Sequence, residues 1–233
     1  MYLGWTTTGR MYYVREWHIA SVLTSGKDFC DRLTSTELYD PSTRMWTTTG
    51  HMKYGRQWHA ESILRNGKVL AIGRMDDKSH LKSTELYDPS RGTWTTTGDL
   101  NIPRNGHTVF LLTNGKVLVT GGIGKGRCLN SSELYDLSSG TWTTAGSMNY
   151  PRDYHTASVL KNGKVLVSGG ESVFGLLSTT ELYDSSTGTW TTTGNMNYAR
   201  NLHTESVLTN GKMLIIGEDN YEVLNIAELY SLF

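Results

Sequence analysis

A Glu-Leu-Tyr triplet begins at Glu37, Glu85, Glu133, Glu181 and Glu228, at spacings of 48, 48, 48 and 47 residues. A Trp-Thr-Thr element begins at Trp5, Trp46, Trp94, Trp142 and Trp190, and an Arg-x-x-His element ends at His18, His59, His107, His155 and His203. Both run at spacings of 41, 48, 48 and 48. Five copies of one unit therefore fill the 233-residue chain, the first about seven residues short. A unit of this length buries its apolar surface against its neighbours, so the repeat predicts a stacked array.

Within a unit the periodicity is that of strands. Val117-Leu118-Val119, Val165-Leu166-Val167 and Met213-Leu214-Ile215-Ile216 are aliphatic runs flanked by turn residues, and amphipathic windows of helical length are absent. Asn66-Gly67, Asn114-Gly115, Asn162-Gly163 and Asn210-Gly211 separate two strands each, which predicts type I′ hairpin turns. Four antiparallel strands per unit follow, A to D; in the fourth unit they are His155 to Leu160, Lys164 to Ser168, Ser178 to Asp184 and Thr189 to Thr193. Strand B is apolar on both faces, so both must be covered. Radial stacking does this without a long exposed edge, which makes the expected fold an all-β propeller of five four-stranded blades.

Gly121-Gly122 and Gly169-Gly170 after strand B, Tyr135 or Tyr183 in strand C, and Trp142 or Trp190 in strand D resemble the glycine pair, tyrosine and tryptophan of the kelch repeat, over essentially the whole chain. The pair decays to Gly73-Arg74 and Gly217-Glu218 in the second and last copies and is missing from the first. The units read as 10–49, 50–97, 98–145, 146–193 and 194–233, the last completed by residues 1–9, whose Trp5 to Thr8 reads as a D strand. Either this strand closes a five-bladed ring, or the chain is part of a longer kelch array. In the first copy only Asp28 to Arg32 stand where the fourth has Val165 to Leu176. Five residues are too few for a parallel crossover, which takes about a dozen. Either Lys27 to Cys30 forms a stub of strand B, or the first blade is distorted.

Lys plus Arg and Asp plus Glu both number 22. That balance offers no excess charge for nucleic acid or an anionic membrane surface. Two cysteines, Cys30 and Cys128, build neither a disulfide scaffold nor a four-cysteine zinc site. No apolar run approaches the roughly 20 residues of a membrane helix, and the N-terminus lacks the pattern of a signal peptide. A cytoplasmic location is expected.

Antiparallel order places the A-to-B and C-to-D turns at one end of the ring and the B-to-C and D-to-A loops at the other. The second set differs between copies in chemistry, so binding is expected there. The candidate partner-binding residues are Trp17, Trp58 and Tyr154 in the D-to-A loops, and Arg74, Arg127, Phe174 and Tyr221 in the B-to-C loops. The aromatics suit either an interface anchor or a sugar ring, or they pack between blades. Arg15, Arg56, Arg104, Arg152 and Arg200 recur with the five Glu residues, which reads as a scaffold ion pair. Five recurring His residues on separate blades do not bring three or four ligand atoms to one point at about 2.0 to 2.2 Å, so no metal is expected. Gly121 to Gly126 superficially resembles a phosphate loop, but it precedes no helix.

The kelch resemblance implies a protein-interaction module, and this chain reads as noncatalytic, without a cofactor, binding a protein or peptide. The alternative it implies is a carbohydrate-binding or galactose-oxidase-like propeller. Neither Cys30 nor Cys128 belongs to a recognisable copper-ligand set there.

Overall fold

Strand B carries the core because all its side chains are covered. In the third and fourth units Val117–Thr120 and Val165–Ser168 are buried at every position. A computed structural model of the chain describes residues 19–20, 23–25, 34–40, 42–56, 59–75, 80–217 and 226–231. Among them there is no helix, and hence none long and apolar enough to cross a membrane. The described residues form four four-stranded antiparallel sheets and one three-stranded sheet, each in the order A-B-C-D as far as it extends, and two two-stranded hairpins. In the third sheet Val119 pairs with Val109 of strand A and Glu133 of strand C, and Tyr135 of strand C pairs with Trp142 of strand D.

Successive A strands lie side by side: Ala60–Ile63, Thr108–Leu111, Thr156–Val159 and Thr204–Val207. The sheets therefore stack radially as propeller blades with strand A innermost. Apolar clusters fill the seams, one joining Leu70 and Ile72 to Val117 and Val119, another Leu118 to Val165 and Val167. Each described strand D sets a tryptophan ring 5.1 Å from the strand C tyrosine of its own sheet, as in Tyr135–Trp142. In two of them the indole N–H reaches back to the preceding unit: Trp94 donates to Thr36 Oγ1 at 3.0 Å and Trp142 to Thr84 Oγ1 at 3.4 Å.

The recurring Arg and Glu form the scaffold pair that their repetition implies. Arg152 Nη2 donates to Glu181 Oε1 at 2.8 Å with both side chains fully covered, while Nη1 donates to the carbonyls of Gly169 and Thr179. Glu181 also accepts the N–H groups of Asn149 and Tyr150. Arg56, Arg104 and Arg200 repeat this clamp. A buried pair of this kind is costly to break on one side, about 3–5 kcal/mol, because it strands the other charge. The clamp ties Asn149 to Arg152, the middle of the D-to-A loop, to strand C, so the residues just after the arginine are held in place.

The Asn-Gly turns differ from the expected type I′ hairpin. Only the glycines have positive φ, as in Gly67 at 79°, and Asn66 does not. Leu64 N–H donates to the Lys68 carbonyl and Gly67 N–H to the Leu64 carbonyl. This is a three-residue loop, a type I turn closed by a left-handed glycine. Asn66 contributes its side chain instead, its Oδ1 accepting the Lys68 N–H at 3.1 Å.

The first blade is distorted. Ile19–Ala20 pairs with Leu23–Ser25, and Leu23–Ser25 pairs with strand C at Leu38, Glu37 and Thr36. Leu23–Ser25, which align with the A-to-B turn Leu112-Thr113-Asn114 of the third unit, thus take the slot of strand B. This restores antiparallel pairing where the loop is too short for a crossover. Residues 27–30, expected as an alternative stub, lie outside the described residues, as do Trp5 to Thr8.

Candidate functional site

Glycine 121 shows why the kelch turn has no side chain. A Cβ there would lie 2.6 Å from the Arg152 carbonyl and 2.6 Å from His155 Cε1, both in the next unit. A Cβ on Gly122 would lie 2.4 Å from the Asn105 carbonyl. The pair therefore threads the chain between two D-to-A loops. Gly73 and Gly169 stand in the same way against His107 and His203. The four described histidines of the Arg-x-x-His repeat, His59, His107, His155 and His203, line a cavity of about 320 Å³ with Gly106, Tyr154, Thr156 and Leu202.

Two of these imidazoles latch neighbouring A strands. His155 Nε2 shares a hydrogen bond with Thr108 Oγ1 at 2.7 Å, and His203 Nε2 shares one with Thr156 Oγ1 at 2.6 Å. Burial, reinforced by the adjacent clamp arginine, depresses the pKa of His107 to about 3, of His203 to about 4, and of His155 well below the ordinary value. They are neutral scaffold groups. Among the described residues no three His, Cys, Asp or Glu side chains converge to hold a metal.

A belt of backbone bonds links three successive D-to-A loops at the mouth of this cavity. Tyr154 N–H donates to the Gly106 carbonyl at 3.2 Å, and Leu202 N–H donates to the Tyr154 carbonyl at 3.0 Å. These three residues occupy one repeat position and share left-handed backbone, with φ of 60°, 48° and 51°. The Tyr154 ring lies over Gly106, whose Cβ would meet it at 3.5 Å. Leu202 is 50% exposed.

Outside the belt, the B-to-C loops of the third and fourth units fold into small hairpins: Ile123–Gly124 with Arg127–Cys128, and Glu171–Ser172 with Gly175–Leu176. Backbone bridges join Ile123 to Asn105 and Glu171 to Asp153, which puts the two loop sets on one face. Gly121 to Gly126 is thus a kelch turn followed by a hairpin tip at Lys125-Gly126. The Cys128 thiol donates to Asp153 Oδ1 at 3.4 Å, and Asn201 Nδ2 donates to Glu171 Oε2 at 3.2 Å. Burial raises the Asp153 carboxyl to about 6, and burial together with Asp153 pushes the Cys128 thiol to about 12.

Of the residues expected at the site, Tyr154 lies at the mouth, while Arg127 and Phe174 project from the hairpins, Phe174 97% exposed. Arg74 departs from its loop assignment: its backbone lies in the strand Val69–Met75, past a register shift between Ile72 and Arg74, and pairs with Leu81. Trp17, Trp58 and Tyr221 lie outside the described residues. Leu202 was missed as a site residue; its shared repeat position with Trp17, Trp58 and Tyr154 was the available signal.

A comparison with curated proteins finds no match. Among solved structures, the chain is similar to that titled "Structure of YjhT", with a TM-score of 0.68 and 16% sequence identity over 79% of this chain and 66% of that one. The chain thus spans just under two thirds of that structure's length, and at this identity the likeness is one of fold. The family model of the KLHDC2/KLHL20/DRC7 Kelch-repeats domain matches residues 95–232, more than half of the sequence. The matched stretch holds the glycine pairs threaded between D-to-A loops, the paired Tyr and Trp rings and three of the arginine clamps, and the chain belongs to the Kelch-repeat domain family.

Proposed function

We propose that the protein is a noncatalytic kelch scaffold that binds a protein or peptide partner across the mouth, on the face formed by the B-to-C and D-to-A loops. The left-handed backbone of Tyr154 and Leu202 carries this reading. That conformation costs a non-glycine residue on the order of 1–3 kcal/mol, and Gly106 adopts it in the neighbouring unit without a side chain. A tyrosine and a leucine held there against strain set apolar surface around a cavity, as interface anchors do. Phe174 and Arg127 add residue types enriched at interfaces on the same face.

The noncatalytic part of the reading rests on the state of the titratable groups. His155 and His203 are engaged by threonine hydroxyls. A thiol held protonated up to about 12, as in Cys128, is a poor nucleophile.

The test is selection from a phage-displayed random peptide library on the intact protein, followed by titration of the selected peptides. Tyr154→Ala and Leu202→Asp are expected to weaken binding by about 2 kcal/mol each. Arg91→Ala, on the opposite face, is expected to leave it unchanged. Equal affinity for the mouth variants, or binding on a glycan array with no peptide selected, would overturn the reading.

A further inference from the structure

The third unit departs from its neighbours at one position. Tyr54, Tyr150 and Tyr198 stand two residues before the clamp arginine in the second, fourth and fifth units, and the third unit has Ile102 there. Beside Ile102 lies a groove of about 510 Å³, with Pro103 and Leu129 also in its lining and Lys125 and Arg127 at the hairpin tip. Gly124 lets the hairpin rest close on this lining, since a Cβ there would lie 2.5 Å from the Pro103 carbonyl and 3.0 Å from Leu129 Cδ1. The tip is thereby fixed at the groove's edge. Lys125 and Arg127 are exposed, and neither has an ion pair or side-chain hydrogen bond among the described residues. The corresponding tip of the fourth unit is Val173-Phe174, apolar and exposed.

We propose that this groove is a docking site for an extended acidic peptide segment of a partner, with an apolar side chain seated against Ile102 and Leu129 and a neighbouring carboxylate against Lys125 and Arg127. The inference extends the binding face described above and rests on that reading. Charge complementarity selects the occupant: two exposed cations beside Ile102, Pro103 and Leu129 favour an anionic segment with one apolar anchor and disfavour a cationic one. Arg127 offers a planar donor fork suited to a carboxylate, and Lys125 a compact second charge.

The test uses a short synthetic peptide with one leucine flanked by glutamates, and a counterpart with glutamines, titrated by fluorescence anisotropy against the intact protein. The acidic peptide is expected to bind saturably, and to weaken as salt rises from roughly 50 to 300 mM. Binding is expected to fall about tenfold or more in the Lys125→Glu, Arg127→Glu double variant. Ile102→Tyr restores the residue that the four other units carry two positions before the repeat arginine, so it is expected to keep the fold, fill the groove and abolish binding. In the wild type the Ile102 methyl resonances are expected to shift on titration. No saturable binding, equal binding of the glutamine peptide, or full affinity in Ile102→Tyr would overturn the proposal. Tyr154 is not part of the groove's lining, so Tyr154→Ala is expected to leave this peptide's affinity within about twofold. Failure of the groove is thereby separated from failure of the mouth.

Discussion

Ala145 packs in the same apolar cluster as Tyr183, at the repeat position where the other described seams set a threonine hydroxyl against a tyrosine. Thr97 Oγ1 meets Tyr135 OH at 2.6 Å, Thr193 Oγ1 meets Tyr230 OH at 2.8 Å, and Thr49 is bonded to Tyr87 in the same way. Tyr183 OH is buried without a hydrogen-bond partner among the described residues. A buried unpaired hydroxyl costs about 1–3 kcal/mol. Ala145→Thr is expected to raise stability by about 1 kcal/mol, read as a higher urea midpoint with unchanged slope. No increase would show that the seam lacks room for the hydroxyl.

The imidazole latch fails at one seam for a related reason. Thr108 and Thr156 bond His155 and His203, but the second unit has Ala60 at their position, and both ring nitrogens of His107 are buried without a partner among the described residues. Ala60→Thr is expected to add about 1 kcal/mol. In the spectrum of the variant the His107 ring nitrogen is expected to move toward the shifts of His155 and His203. An unshifted resonance would contradict the latch.

Arg44 occupies the left-handed position of its C-to-D turn, with φ of 59°, where the later units have Gly92, Gly140 and Gly188. Arg44→Gly is expected to stabilise the first blade by about 1 kcal/mol, the lower end of the strain at such a site. Amide exchange at residues 36–48 is expected to slow. Faster exchange would mean that the arginine side chain contributes more than its backbone costs.

The imidazoles of His107, His155 and His203 set an acid limit. Their folded-state pKa values lie below the ordinary value of about 6.5, so the unfolded chain binds protons first as pH falls. Their contribution to stability is complete above about pH 6.5 and is lost on acidification toward 4, at up to about 1.4 kcal/mol per histidine per pH unit. Asp153, raised by burial to about 6, and Glu205, also raised by burial, act in the opposite direction. Three imidazoles outweigh them, so the urea midpoint is expected to fall between pH 6.5 and 4.5, and less steeply in His203→Gln. A midpoint that rises over this interval would contradict the assignment.

The repeat made the blades legible, because a glycine pair, a Tyr, a Trp and an Arg-Glu clamp each solve a packing problem that recurs every 48 residues. What differs between units was harder to read. Asn-Gly signals a tight turn, but its type depends on whether the asparagine takes positive φ, and Asn66 leaves that to Gly67. In the first unit, strand pairing rather than sequence alignment decides the fate of Leu23–Ser25. Tyr154 was recognisable as an aromatic in a variable loop, whereas Leu202 and Ile102 become site residues through what surrounds them. The backbone belt gives Leu202 its place, and the hairpin resting on Pro103 and Leu129 gives Ile102 its groove.

The most direct measurement of the binding face is amide hydrogen exchange of the protein alone and saturated with a library-selected peptide. The account predicts slowed exchange at residues 105–106, 153–154 and 201–202 and at the hairpin tips 124–127 and 172–175, with the turns at 66–67, 114–115 and 162–163 unchanged. Slowing confined to those Asn-Gly turns, with the mouth unaffected, would place the partner on the opposite face and contradict it.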